Sequence, residues 1–324
     1  MKVCFVVPHA YPVIDPLAPG PIGGSEMRAW ELARGLAALP AFQVSFVVRG
    51  APFRRRRIEG VTVVAAPLTS RAQGLSLDVD GVTFSPASLR LYLDLDADVV
   101  GVFGATTIAA EVVVACQFQD SASVLFAASD ADASASYAPG NEELNPWGVT
   151  GARCSVAVRH ADAIVVQTQA QARLFRERFD RDTSVIRSPV RCDSADDGDA
   201  SDPCVLWVGK SDDIKRPEIC ADLAHAHPEI PFVMVMSRQS EALFEWIRYQ
   251  APPNLRIVPK ASLEEMEDLY RRARVLLNTS RFEGMPYSFL QAGVHGVPVL
   301  SLNIDPDGVL HDHGGGLAAD GDVA

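Results

Sequence analysis

The sequence contains little lysine and no long apolar segment. Only four of its 29 basic residues are lysines, and the other 25 are arginines. The 41 acidic residues give a formal net charge of −12 at pH 7, so the chain lacks the basic excess of a general nucleic-acid-binding protein. No apolar run approaches the ~18 residues of a membrane-spanning helix, and the run over residues 3–7 is too short for a signal peptide.

Cysteine is sparse and follows no disulfide or metal-binding pattern. The six cysteines are scattered without a CxxC pair, which is typical of reduced cysteines in a cytosolic protein. His311 and His313 flank Asp312, but two histidines on one side of an extended segment supply only two ligands. We therefore expect no metal site, no cofactor and a cytoplasmic protein.

Short apolar runs alternate with helical stretches in both halves of the chain. This alternation predicts parallel strands that are covered on both faces. Residues 193–202 contain five aspartates and are interpreted as a solvated linker. The expected α/β fold has two doubly wound parallel-sheet domains, residues 1–192 and 203–324, facing a cleft. Residues 70–95 are predicted to form a β-hairpin and a helix at its rim.

A glycine pair lies where an N-terminal strand leads into a helix. Gly23 and Gly24 allow the backbone to approach a ligand, and the free N–H groups of the helix start can bind phosphate. Ser25 is a candidate N-cap for this helix. The segment matches neither GxGxxG nor a P-loop, so an ordinary loop before a capped helix stays open as the alternative.

Two of the four lysines follow the first strand of the second domain. Lys210 and Lys215 are five residues apart, directly after Gly209, at a strand-to-helix turn. Ammonium groups in such a turn can meet a diphosphate as point charges. A surface turn with two lysines is the alternative.

The most specific segment covers residues 278–292, where a carboxylate precedes a Gly-x-Pro turn and a helix. Glu283 can bind sugar hydroxyls, and Gln291 on the helix can face the same ligand. The backbone of the turn faces that ligand at Gly284, Met285, Pro286 and Tyr287. Pro286 suits the first helical position. The alternative is that Glu283 only complements the helix dipole, an effect of ~0.3–1 kcal/mol.

Residues 281–300 resemble the E-x7-E region of the family-four retaining glycosyltransferases, glycosyl transferases group 1. Residues 209–215 are similar to that family's G-R-x4-K segment, and Gly23 and Gly24 to its N-terminal glycine loop. Residues 161–168 and 186–190 also match the family pattern. The resemblance implies a GT-B fold of two Rossmann-like domains. It also implies retaining hexosyl transfer from a nucleotide-diphosphate sugar to a hydroxyl acceptor, such as a glycan, a glycolipid or a small molecule.

The same resemblance assigns roles to individual residues. Lys210 and Lys215 are expected to hold the donor diphosphate, and Glu283 to contact the donor sugar. Gln291 takes the place of a glutamate that holds the ribose. Backbone near the nucleobase is expected at Pro259 and Lys260. The donor-binding set is therefore Gly23, Gly24, Gly209, Lys210, Lys215, Pro259, Lys260, Glu283, Gly284, Met285, Pro286, Tyr287 and Gln291.

The sequence departs from the family pattern at three points. Lys210 replaces an arginine and loses its bidentate fork. Gln291 replaces a glutamate, which removes a charge-assisted acceptor and predicts weaker donor binding. The family continues beyond a stretch such as residues 314–320 with helices that brace the N-terminal domain, so we expect an incomplete second domain that ends at Ala324.

The resemblance implies a front-face reaction, since no pair of carboxylates of the glycosidase kind is evident. Lys210, Lys215 and the glycine-pair amides would stabilise charge on the leaving diphosphate, and that phosphate would take the acceptor proton. Asp130 or Asp132 is predicted to lie near the donor or acceptor, with Asp130 as the catalytic candidate. The alternative is two aspartates that end a strand. His9 is a candidate for lining the cleft or for packing.

Other classes of protein compete with this interpretation. The alternative is a degenerate GT-B protein that binds nucleotide or sugar without turnover, which Lys210 and Gln291 would fit. GT-B epimerases and phosphorylases share the fold, whereas a dehydrogenase is disfavoured because GxGxxG is missing. Four consecutive arginines, residues 54–57, fit either a solvated loop or an anionic surface at the inner face of a membrane. The sugar, base, acceptor and oligomeric state are left open.

Overall fold

The structure, a computed structural model, describes residues 1–66, 76–192 and 202–321. The chain divides into two compact units. Met1–Asp15 and Ser25–Pro189 form the first, and Pro16–Gly24 and Val190–Ala324 form the second. Residues 193–201 of the predicted linker and residues 70–75 of the predicted rim segment lie outside the described residues. Within the described ranges, no helix combines the length and apolar character needed to cross a membrane.

The first unit contains a large, mostly parallel sheet. Its strands are β1 (Lys2–Val6), β2 (Gln43–Val48), β3 (Arg55–Ile58), β4 (Val61–Ala65), β5 (Leu77–Val79), β6 (Val82–Phe84), β7 (Val99–Phe103), β8 (Ala122–Phe126), β9 (Ala163–Val166) and β10 (Ser184–Val185). Eight of them form one sheet in the order β10-β9-β8-β7-β1-β2-β4-β3. All neighbours in this sheet are parallel except β3 and β4.

Helices connect these strands, and several of them begin at polar caps. They are α1 (Tyr11–Ile14), α2 (Gly24–Ala37), α3 (Pro86–Arg90), α4 (Thr107–Cys116), α5 (Gly151–His160) and α6 (Gln169–Phe179), with a 3-10 helix at Asp130–Ala133. Thr106, Thr150 and Thr168 cap α4, α5 and α6, because each side-chain oxygen accepts a backbone N–H three residues later. Helix α2 begins at Gly24, so Ser25 lies in its first turn and the N-cap prediction is wrong.

Aromatic rings fill one side of the first sheet. Phe5 contacts Phe46, Phe103 and Phe126, with ring centroids 6.0–6.3 Å apart. Gly101 lies between these rings on β7, where an added Cβ would be 2.9 Å from Phe5 Cδ1 and 3.0 Å from Phe126 Cε2. The glycine therefore leaves the space in which the rings pack.

The second unit has a six-stranded parallel sheet. Its strands are β11 (Cys204–Lys210), β12 (Phe232–Ser237), β13 (Leu255–Val258), β14 (Ala273–Asn278), β15 (Val299–Ser301) and β16 (Gly316–Ala318), and its helices are α7 (Pro217–Ala226), α8 (Glu241–Gln250), α9 (Leu263–Arg272) and α10 (Tyr287–Val294), with a 3-10 helix at Pro306–Gly308. The order β13-β12-β11-β14-β15-β16 is that of a Rossmann sheet, 3-2-1-4-5-6. The predicted Rossmann-like architecture is confirmed in each unit.

Two predicted segments of the first unit have clear outcomes. Over its described part, the rim segment forms the β5–β6 hairpin and then α3, as predicted. The arginine run is not a loop, because Arg55, Arg56 and Arg57 belong to the antiparallel edge strand β3. All four arginines of the run are exposed, and charge on an edge strand opposes pairing with other chains.

The packing around Gly101 generates a test. We expect Gly101→Ala to lower the free energy of unfolding by about 1–3 kcal/mol, because the methyl group must displace packed rings. Gly35→Ala is the matched control, since apart from its chain neighbours and the backbone of α2 no atom lies within 4 Å of its added Cβ, and alanine favours the helix by about 0.5–1 kcal/mol. Urea unfolding followed by circular dichroism measures both, and an unchanged midpoint for Gly101→Ala would contradict the packing.

Candidate functional site

The candidate site lies at the carboxyl ends of two neighbouring strands in the second unit. Strand β11 pairs with β12 on one side and with β14 on the other, so the direction of winding reverses between β11 and β14. Ligands of doubly wound sheets bind at such a switch point, beyond the carboxyl ends of the strands. Strand β11 ends at Lys210 and β14 ends at Asn278, which brings the two predicted segments together.

The turn after β11 is fixed by short polar side chains. Asp212 Oδ1 accepts the backbone N–H groups of Ile214 at 3.1 Å and Lys215 at 2.8 Å. Ser211 is fully buried, and its Oγ donates to Ser240 O at 2.9 Å. These bonds give the chain a defined path between the two lysines, because an Asp side chain can stabilise a turn locally.

Arg216 joins this turn to the segment after β14. Its backbone is left-handed, with φ of 50°, and Pro217 then begins α7. The side chain donates from Nε to Thr279 O at 2.7 Å, while the N–H of Arg281 donates to Ile214 O at 2.9 Å. Arg216 is therefore a structural residue of the site, and burial lowers the pKa of its guanidinium.

Thr279 is the most connected residue of the site. Its Oγ1 accepts the indole N–H of Trp207 at 2.9 Å and lies 2.6 Å from Lys215 O, to which it can donate. Thr279 and Trp207 are both buried. Gly209 makes room for the indole, since a Cβ there would lie 2.6 Å from Trp207 Cη2. The hydroxyl thereby fixes the backbone of Lys215 to the end of β14.

Lys215 and Glu283 form an ion pair at the centre of the site. Their side chains keep 24% and 14% of their exposure, so both are partly buried. Ser280 Oγ donates to the same carboxylate oxygen of Glu283 at 2.7 Å. Lys210 makes no ion pair or side-chain hydrogen bond with any residue in the described part of the chain. One lysine is thus held by the carboxylate, and the other is available to an anion.

The Gly-x-Pro turn leads directly into α10. Pro286 is the N-cap rather than the first helical residue, and α10 begins at Tyr287. Gly284, Met285 and Pro286 are buried. Within the second unit, Gly24 approaches this helix start so closely that an added Cβ would lie 3.1 Å from Tyr287 Cβ. The structure therefore brings Gly24 to the turn that follows Glu283.

Gln291 has a structural partner that the sequence did not reveal. Its Oε1 accepts the hydroxyl of Tyr270 at 3.2 Å, and burial raises the pKa of that phenol. The Tyr270 ring stacks on His295 with centroids 5.6 Å apart, and His295 Nε2 lies 2.8 Å from Glu267 Oε2. The amide oxygen of Gln291 is therefore already engaged, and its NH₂ group remains for another contact.

Pro259 and Lys260 lie apart from the lysine pair, after β13. Pro259 lines a surface groove of about 340 Å³ together with Arg238 and Phe244. Lys260 Nζ donates to Ala18 O at 2.7 Å, which ties the segment Pro16–Gly24 to the rest of the second unit. The lysine thus has a structural contact, while Pro259 borders an open surface groove.

The two aspartates of the first unit differ in their surroundings. Asp132 is buried and accepts three backbone N–H groups, from Ala105 at 2.6 Å, Ala128 at 2.7 Å and Ser129 at 3.0 Å. Burial raises the pKa of this carboxyl despite these bonds. Asp130 begins the same 3-10 helix and is less buried. Asp132 is therefore a structural carboxylate, which leaves Asp130 as the candidate for chemistry.

The histidines singled out in the sequence do not form a metal centre. His9 follows β1 and is exposed, and His311 Nδ1 lies 3.0 Å from Asp312 Oδ1. Over residues 1–66, 76–192 and 202–321, no three His, Cys, Asp or Glu side chains are grouped so that they could hold a metal ion.

Sequence reasoning missed the residues that hold the site together. Thr279, Arg216 and Tyr270 act through contacts that are 21 to 72 residues apart in the chain, so no local spacing reveals them. The one available signal was the polar run Asn278, Thr279 and Ser280 directly after an apolar strand, where buried hydroxyls require partners.

Comparisons with known proteins agree with this geometry. Residues 204–324 match the family model described as "Glycosyl transferases group 1". This part of the chain is therefore similar to the group 1 glycosyl transferases. No curated protein matches the sequence at a significant level.

Solved structures extend the similarity to both units. Sucrose-phosphate synthase from Thermosynechococcus elongatus superposes with a TM-score of 0.68 and 17% identity, over 96% of this chain and 82% of that one. The pneumococcal O-GlcNAc transferase GtfA in complex with UDP and GlcNAc superposes with a TM-score of 0.61 and 12% identity, over 94% of this chain and 84% of that one. The UDP-forming α,α-trehalose-phosphate synthase from Burkholderia vietnamiensis superposes with a TM-score of 0.61 and 13% identity, over 100% of this chain and 89% of that one. These likenesses show the GT-B fold.

The contacts of Thr279 lead to a stability test. We expect Thr279→Val to lower the free energy of unfolding of the second unit by about 1–3 kcal/mol, because the buried indole N–H of Trp207 loses its acceptor. Thr279→Ser keeps the hydroxyl and loses only a methyl group, about 1 kcal/mol. Urea unfolding monitored by tryptophan fluorescence compares them. Equal destabilisation by both variants would show that the hydroxyl is not the element that matters.

Proposed function

We propose that the protein is a retaining glycosyltransferase that moves a hexosyl group from a nucleotide-diphosphate sugar to a hydroxyl acceptor. The observation that carries this proposal is the arrangement of Lys210, Lys215 and Glu283 at the switch point of a group 1 domain. Two of the chain's four lysines lie there beside one carboxylate, in a protein that is otherwise acidic. Such local positive charge favours a diphosphate.

Binding of the donor would replace the ion pair between Lys215 and Glu283 with contacts to the donor. Lys215 is held by Glu283, so an incoming diphosphate would take Lys215 and also Lys210, while Glu283 turns to the sugar hydroxyls. The turn backbone at Gly284 and Met285, and the neighbouring Gly24, would lie along the same donor. Pro259 in its groove is proposed to contact the nucleobase. UDP is bound in the similar GtfA structure, which makes UDP the first nucleotide to test.

Retention is supported by the surroundings of Glu283. Among the described residues, its hydrogen-bonding partners are Lys215 and Ser280, and no second carboxylate forms the close pair of a retaining glycosidase. A front-face reaction needs no such pair, since the leaving phosphate takes the acceptor proton. We expect ¹H NMR to show that the first product formed has the same anomeric configuration as the donor. The opposite anomer would contradict retention.

Two finer proposals concern the first unit. Asp130 is proposed to contact the acceptor, so Asp130→Ala would lower transfer without changing nucleotide affinity.

The protein is proposed to act in the cytoplasm at the inner membrane surface, because its six cysteines are free and residues 54–57 present four exposed arginines. Co-sedimentation with phosphatidylglycerol vesicles that persists after all four are changed to glutamine would contradict that contact.

Nucleotide binding is the first test of the proposal. We expect one of UDP, GDP and ADP to raise the thermal unfolding temperature, since a ligand at 100 times its Kd stabilises a protein by about 2.7 kcal/mol. Lys215→Ala and Lys210→Ala should abolish or reduce this shift, because each removes a charge that faces the diphosphate. Glu283→Gln should retain the shift and lose sugar transfer.

The matched control is Arg271→Ala, which removes an exposed positive charge of α9 away from the switch point. It should leave the thermal shift unchanged. Equal shifts in Lys215→Ala and in the unaltered protein would overturn the donor site. A shift without release of sugar to water or to any acceptor would favour the degenerate binding protein instead.

A further inference from the structure

An ordered hairpin follows the 3-10 helix in the first unit. Residues 134–150 connect Asp130–Ala133 to α5, and both ends of this connection are tied to the carboxyl end of β7. Asp132 accepts the N–H of Ala105, and Cys154 Sγ donates to Ala105 O at 3.0 Å. The connection therefore lies at the edge of the sheet where doubly wound domains bind ligands.

The tip of this hairpin is a tight turn. Leu144 and Thr150 form an antiparallel bridge, and the N–H of Gly148 donates to Asn145 O at 2.9 Å. Gly148 has φ of +74°, a left-handed conformation that favours glycine. The N–H of Asn145 donates to Val149 O at 2.9 Å and closes the hairpin. Pro146 fixes one further dihedral angle at the tip.

The side chain of Asn145 anchors this tip to the core of the unit. Its Oδ1 accepts the backbone N–H groups of Trp147 at 2.9 Å and Val149 at 3.0 Å. Its Nδ2 donates to the hydroxyl of Tyr137 at 3.1 Å and contacts Cys154 Sγ at 3.5 Å. Tyr137 and Cys154 are buried, so the backbone of Trp147 is held by groups that cannot easily move.

This rigid tip presents apolar side chains to solvent. Trp147 retains 47% of its exposure and Leu144 retains 67%, whereas Trp30 and Trp207 retain 3% and 2%. An exposed indole at Trp147 adds little to core packing. It does provide a flat binding surface, since a pre-organised aromatic side chain binds with a small loss of conformational entropy.

We propose that Trp147 is a stacking platform for a sugar ring of the acceptor, which makes the acceptor a saccharide. This inference rests on the proposed function and names its acceptor class. A pyranose has an apolar C–H face that can cover an indole, and hydroxyls at its edge that can donate to carboxylates. Glu142 and Glu143 are exposed beside the tip and supply those acceptors. Their two negative charges oppose an anionic bilayer as the occupant.

Binding can be observed without any donor. The chain has four tryptophans, so incorporation of 5-fluorotryptophan gives four ¹⁹F NMR signals, and Trp147→Phe and Trp246→Phe assign two of them. We expect the Trp147 signal to shift on titration with millimolar maltotriose, cellotriose or chitotriose. Trp246 is the matched control, because it is equally exposed at 49% but lies on α8 of the second unit.

Each other outcome of the NMR experiment contradicts the proposal. An unmoved Trp147 signal with all three saccharides would show that the indole is not a sugar platform. Equal shifts at Trp147 and Trp246 would indicate non-specific contact with exposed indoles. Loss of the Trp147 signal on phosphatidylglycerol vesicles, without a saccharide effect, would assign the tip to a membrane.

Kinetics with the saccharide that shifts the signal separate this inference from the proposed function. Trp147→Ala should raise the KM for that acceptor by about tenfold, since loss of an aromatic contact is of that size. Hydrolysis of the donor by water should be unchanged. Trp147→Phe should restore most of the affinity, and Trp246→Ala should have no effect. An unchanged KM in Trp147→Ala would refute the platform, whereas an unaltered protein that releases no sugar, either to water or to this saccharide, would refute the proposed function.

Discussion

The hydroxyl of Thr279 is the contact on which the geometry of the candidate donor site depends. It accepts the buried indole N–H of Trp207 and lies within hydrogen-bonding distance of Lys215 O. One small side chain thereby joins the end of β14, the middle of β11 and the turn that carries the lysines. Buried polar groups are costly unless each is bonded, so this arrangement favours one relative position of the two segments that hold Lys215 and Glu283.

Charge is distributed in a way that suits this position. The chain carries a net charge of −12 and only four lysines, yet Lys210 and Lys215 both follow β11. Lys215 is neutralised by Glu283, and Lys210 is free of partners among the described residues. A site in which one cation is paired and one is available can accept a diphosphate with a change of partners instead of a large movement of the backbone. The same exchange would release Glu283 toward a sugar.

The fold could be predicted from sequence because its signals are local. Short apolar runs that alternate with helical stretches indicated parallel sheets in both halves of the chain. The strand order 3-2-1-4-5-6 could not be read, since pairing of β11 with β14 joins residues some 70 positions apart. For the same reason the bond between Tyr270 and Gln291 was invisible. The arginines of residues 54–57 were expected in a loop, because charge runs rarely form strands, but pairing with β4 holds Arg55–Ile58 extended.

The candidate site was predictable in its residue types and less so in its contacts. Lys215 and Glu283 were assigned to one ligand from two separate motifs, and the structure brings them into contact. In contrast, the carboxylate of Asp132 accepts hydrogen bonds from three backbone N–H groups. A sequence pattern cannot distinguish such an aspartate from an exposed one. Trp147 drew no attention in the sequence, because its role follows from the exposure and rigidity of a hairpin.

Lys210 and Lys215 are proposed to bind a diphosphate at the switch point of the second unit. A crystal structure with the nucleoside diphosphate that stabilises the protein tests it most directly. We expect diphosphate oxygens within hydrogen-bonding distance of Lys210 Nζ and Lys215 Nζ, with Glu283 separated from Lys215. A diphosphate bound elsewhere on the chain, with the Lys215–Glu283 pair still closed, would contradict it.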